Sequence, residues 1–66
     1  MDRVRVAVIG AGGLATREHY PALASCADVE LVGACDLDRQ RLQAVTERFP
    51  VAATFTDYRE MIERTA

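Results

Sequence analysis

The segment Val6–Ala15, "VAVIGAGGLA", places three glycines within four positions directly behind an apolar run. The preceding residues, Arg3 to Gly10 ("RVRVAVIG"), are valine-rich and nearly continuously apolar, the pattern of a strand buried on both faces of a parallel sheet. Behind the glycines, Leu14 to Ala24 has helical composition but contains Pro21. Proline lacks an amide donor and crowds the preceding turn, so a kink is expected there, or two short helices meeting near Tyr20.

Working outward, Val29 to Asp36 ("VELVGACD") is β-branched enough for a second strand. Asp38 can cap a helix that runs to about Arg48 and buries Leu42, Val45 and Phe49, and Pro50 ends it. Val51 to Phe55 reads as a third strand. Thr56 and Asp57 then open a last helix, with Tyr58, Met61 and Ile62 expected on its buried side. Strands alternating with helices imply parallel pairing, with helices on the sheet faces. The fold class is α/β, the N-terminal portion of a doubly wound parallel sheet, incomplete as it stands.

The 66 residues are half apolar, with a formal net charge of -2. This is a globular composition, and its interspersed charges offer no footprint for nucleic acid. In a chain this short one core leaves only about 3–5 kcal/mol without staples. Cys26 and Cys35 form no CxxC and have no histidine partner nearby, so both read as reduced thiols and no metal site is expected. No apolar run suffices to cross a bilayer and no signal-peptide core follows Met1, so no membrane association and a cytoplasmic location are expected.

The glycines carry the functional reading. Gly10, Gly12 and Ala15 spell G-x-G-x-x-A, a dinucleotide-binding fingerprint: Gly10 for a sharp turn, Gly12 for close approach of backbone to a diphosphate, Ala15 for tight helix-to-strand packing. Gly13 adds slack, and the unpaired amides that begin the next helix favour an anion. The acid that should grip the adenosine ribose is Asp36, at the end of the second strand and twenty-six positions beyond Gly10. Its charge would repel a 2'-phosphate and so prefers NAD, while Arg39 or Arg41 lies close enough to accept NADP. Both arginines read equally well as solvated helix charges. His19 reads as a surface or packing residue, and Glu18, Asp57, Glu60 and Glu63 as solvated or capping acids. No residue in the chain is assigned a catalytic role.

Three functions share these features: the cofactor segment of an oxidoreductase, a non-catalytic NAD(P)-binding sensor or structural module, and a nucleotide-dependent transferase. The first two require the same contacts. The third is disfavoured by Ala15, whose packing task belongs to a diphosphate ligand.

Taken together, "VAVIGAGGLA", "HYPAL", "ELVGACDLDRQR" and "FTDYREMI" resemble the N-terminal cofactor domain of the Gfo/Idh/MocA oxidoreductases, NAD(P)-dependent sugar and cyclitol dehydrogenases and their relatives. The resemblance spans about Val4 to Ile62. It implies that Gly10, Gly12, Gly13, Leu14 and Ala15 form the diphosphate loop, that Asp36 binds ribose, that Arg41 lies near the adenosine end, and that His19 and Pro21 are structural. It also implies parts that these residues lack: a fourth strand, an E-K-P stretch, and a C-terminal domain holding a polyol or sugar substrate. Residues 1–66 would thus be a partial dinucleotide-binding domain. Without the fourth strand, the first strand would show an unpaired edge, to be covered by the rest of a longer enzyme or by a second copy in a homo-oligomer.

Overall fold

The computed structural model describes residues 3–65. Strand β1 (Val4–Ile9) is followed by a π-helical segment (Ala15–His19), α1 (Tyr20–Ala24), β2 (Val29–Cys35), α2 (Arg39–Arg48), β3 (Thr54–Phe55) and α3 (Tyr58–Thr65). The sheet is parallel throughout, in the order β1-β2-β3. This is the expected α/β alternation.

Two short helical pieces do meet at Tyr20, and the device joining them is a wide turn. The Tyr20 amide donates to the Ala15 carbonyl, five residues back instead of the four of an α-helix. Pro21 stands in the first turn of α1, directly behind this wide turn. Asp38 caps α2 as expected: its Oδ1 accepts from the amides of Gln40, at 2.9 Å, and Arg41, at 3.4 Å.

One sheet face packs against α1 and α2. Its core joins Ala11, Tyr20, Leu31, Ala34, Leu42 and Val45, with Val6, Val8, Leu23 and Phe49 packed at the margin. The Tyr20 and Phe49 rings stack with centroids 5.8 Å apart, tying α1 to the end of α2. On the opposite face Met61 of α3 sits over Gly33, where an added Cβ would lie 3.2 Å from its Cγ and Sδ.

Three expectations need correction. β1 is not buried on both faces: Val6 and Val8 are half-buried, whereas Val4, Arg5, Ala7 and Ile9 are exposed. It is an edge strand, and α3 packs chiefly on β2 and β3. The third strand is only Thr54–Phe55, because Val32 is an extra residue in β2 where Val6 pairs with Leu31 but Ala7 pairs with Gly33. Beside that bulge only isolated bonds remain, from the Ala52 amide to the Leu31 carbonyl and from the Ala34 amide to the Ala53 carbonyl. Of the three residues expected to bury α3, only Met61 does, while Tyr58 and Ile62 are about half exposed at 47 % and 55 %.

Candidate dinucleotide-binding site

Gly10 leaves β1 with φ of +113°, a conformation that L side chains rarely adopt. Four groups pin the bend it starts. The Gly10 amide donates to the Cys35 carbonyl at the end of β2, 2.6 Å away. The buried Tyr20 hydroxyl donates to the Gly10 carbonyl at 2.8 Å. The Ala11 amide donates to Asp36 Oδ2 at 2.8 Å, while the Ala11 methyl sits in the core. Thr16 Oγ1 donates to the carbonyls of Gly12, at 2.8 Å, and Ala11, at 3.2 Å.

The bend turns its carbonyls inward and leaves amides for a ligand. Among the described residues, no backbone carbonyl accepts from the amides of Gly12, Gly13 or Leu14, and no side chain caps this helical start. The space beside the two glycines is open. A Cβ on Gly13 would meet nothing within 4 Å, and one on Gly12 only Arg41 Nη1 at 3.7 Å.

Asp36 stands at the end of β2 with one backbone amide on each oxygen, Ala11 on Oδ2 and Asp38 on Oδ1, both at 2.8 Å. These two amides, Asp38 first, hold its carboxyl below the usual carboxylate range, and nearby Arg41 helps against the opposing effect of desolvation. The group is therefore an anion at neutral pH, with lone pairs left to accept two hydroxyls.

Gly10, Gly12, Asp36 and Arg41 thus converge, whereas Gly13, Leu14 and Ala15 follow along the start of the helical segment. Leu14 is exposed and Ala15 packs against the core. Arg41 also pairs with Asp38, Nε to Oδ2 at 3.7 Å. Arg39 lines a cleft with Thr54, Phe55 and Glu60, and also a shallow depression with Asp36 and Arg41. At the carboxyl ends of the strands an apolar groove runs from Gly10 and Asp36 between Ile9, Leu37 and Tyr58. This groove accounts for three large apolar side chains left exposed.

Sequence reasoning missed Tyr20, Ala11 and Thr16 as supports of the bend. Tyr20 left one signal: it is the sole aromatic before Phe49, and a phenol on a helix facing a sheet must find a partner for its hydroxyl. Among the described residues no group of histidine, cysteine or acidic side chains is arranged to hold a metal ion, and no helix is long and apolar enough to cross a membrane. Cys26 is exposed and Cys35 buried, both as free thiols.

Residues 4–66 match the Gfo/Idh/MocA oxidoreductase family model for its NAD-binding Rossmann fold. The chain belongs to this family. Among curated relatives, the D-glucoside 3-dehydrogenase of Escherichia coli K12 is 36% identical over 59 residues, which are 89% of this chain and 17% of that protein. Among solved structures, myo-inositol 2-dehydrogenase from Lactobacillus plantarum superposes with a TM-score of 0.84 at 36% identity, covering 94% of this chain and 18% of that one. The chain thus spans less than a fifth of the length of these Gfo/Idh/MocA relatives. In Rossmann folds a glycine bend, the helix start behind it and an acid at the end of the second strand are the parts that meet a dinucleotide.

Proposed function

We propose that this chain binds the ADP half of NAD, as part of a longer dehydrogenase acting on a sugar, cyclitol or related polyol. The amides of Gly12, Gly13 and Leu14 face the diphosphate, with Ala15 allowing the helix to pack close behind them. Asp36 accepts the ribose hydroxyls, Arg41 lies along the phosphate and adenosine side, and the groove beside Leu37 takes the adenine. The observation that carries this reading is the bond from the Ala11 amide to Asp36, which brings the ribose-binding acid to the glycine bend before any ligand arrives.

The nicotinamide of the bound cofactor supplies hydride transfer, and this chain supplies binding and orientation. The bend is suited to this by its open face, since nothing lies beside Gly13 and only the tip of Arg41 reaches the space beside Gly12. The substrate class follows from what the two dehydrogenase relatives are named for. Substrate contacts and proton transfer belong to segments beyond these 66 residues, and those segments cover the exposed edge of β1.

Calorimetric titration of the full-length protein with NAD, NADP and S-adenosylmethionine tests the reading. NAD should bind most tightly, NADP more weakly because of Asp36, and S-adenosylmethionine not at all. Preference for S-adenosylmethionine would replace it with the transferase alternative. Tight NAD binding without turnover of any polyol would favour a sensor.

A further inference from the structure

The contact between Tyr20 and Gly10 is not part of the fingerprint, yet it touches the bend at its most constrained point. Tyr20 is completely buried, stacked on Phe49, and its hydroxyl reaches the Gly10 carbonyl at 2.8 Å. Packing alone would be served by phenylalanine. The hydroxyl supplies a donor to a carbonyl at the one described position where the backbone has a positive φ. Fixing this carbonyl inward fixes the peptide plane that leads into Ala11 and so the direction of the amides beyond it, whereas Asp36 is also held, independently of that plane, by the Asp38 amide on Oδ1. The wide turn of Ala15–His19 delivers Tyr20 to this place.

Resting on the cofactor reading above, we infer that Tyr20 is a positioning residue for dinucleotide binding: its hydroxyl holds the Gly10 carbonyl so that the amides following it face the diphosphate. It touches no ligand itself. Without the hydroxyl the Gly10 carbonyl is left to turn toward water, the bend samples other arrangements, and the apparent Kd rises as the competent fraction falls.

The role separates from mere core support by comparing a ligand that has a diphosphate with one that lacks it. In the full-length protein, the affinities of ADP-ribose and adenosine are measured for the natural chain, Tyr20→Phe, and Phe49→Leu. Phe49→Leu loosens the same core without removing the hydroxyl. Tyr20→Phe should weaken ADP-ribose about five- to tenfold, the worth of one hydrogen bond, and leave adenosine within about twofold. Phe49→Leu should lower the Tm and leave the ratio of the two affinities unchanged. Equal weakening of both ligands in Tyr20→Phe, or no weakening of either, would overturn the positioning role while the cofactor reading stands. If the natural chain binds ADP-ribose no better than adenosine, the cofactor reading falls and takes this role with it.

Discussion

Gly12→Val should separate folding from binding. Gly12 does not have a positive φ, and a Cβ there would meet only the tip of Arg41, at an ordinary 3.7 Å. The Cβ therefore fits the free protein, and beyond it the valine methyls meet the far end of the flexible Arg41 side chain. Its stability should stay within about 0.5 kcal/mol, as for a surface change, with loss of unfolded-state freedom working in its favour. Binding is another matter, because the side chain occupies the space through which a diphosphate reaches the amides. Losing one hydrogen bond to a charged group costs about 1.5–3 kcal/mol, or about 10- to 150-fold in Kd. Gly10→Ala is the converse control. No atom lies within 4 Å of its added Cβ, but φ is +113°, so backbone strain of about 1–3 kcal/mol should appear as lost stability. Thermal melts and NAD titrations of both variants check this. The reasoning is refuted if Gly12→Val keeps its NAD affinity, or if it melts below Gly10→Ala.

Asp36→Ser should move the ratio of NADP to NAD affinity toward NADP by about 1–2 kcal/mol, or about five- to thirtyfold, because a carboxylate no longer faces the 2'-phosphate; parallel titrations measure it, and an unchanged ratio would take Asp36 out of the site. Desolvation first, then the charges of Asp36 and Cys35, push the Tyr20 phenol from 10.0 up to about 12. A folded pKa above the unfolded one favours the folded state fully below about pH 10, and that contribution is lost as pH climbs through about 12. Denaturant melts across this window should show a decline that Tyr20→Phe lacks, and parallel curves for the two proteins would contradict it.

Much of this architecture is legible in the residues because local signals agree. Asp38 with Pro50 brackets α2, the spacing of Leu42 and Val45 fixes its buried face, and the valines of β1 running into Gly10 mark the strand-to-bend junction. What escaped is set by contacts between distant segments. A two-residue β3 follows from the extra residue at Val32 in the neighbouring strand, which no pattern within Val51–Phe55 reveals. The exposure of Tyr58 and Ile62 depends on where α3 rests, over β2 and β3 with Met61 against Gly33. At the candidate site, the meeting of the glycine bend of Gly10 and Gly12 with Asp36 was readable from spacing, because a strand, a glycine turn and an acid ending the next strand lie side by side in a parallel sheet. Tyr20 was not, because its role comes from a wide helical turn that changes which side chain faces the bend. Arg39 and Arg41 look alike in sequence, and only the fold sets Arg41 beside Gly12, although both line a shallow depression with Asp36.

A crystal structure of the full-length protein with NAD bears most directly on the central claim, that main-chain amides at the glycine bend hold the diphosphate while Asp36 takes the ribose. Diphosphate oxygens should lie within hydrogen-bonding distance of the Gly12, Gly13 and Leu14 amides, with the adenosine ribose hydroxyls on Asp36. A dinucleotide bound away from the bend, or a bend whose amides have turned inward to bond the polypeptide, would contradict it.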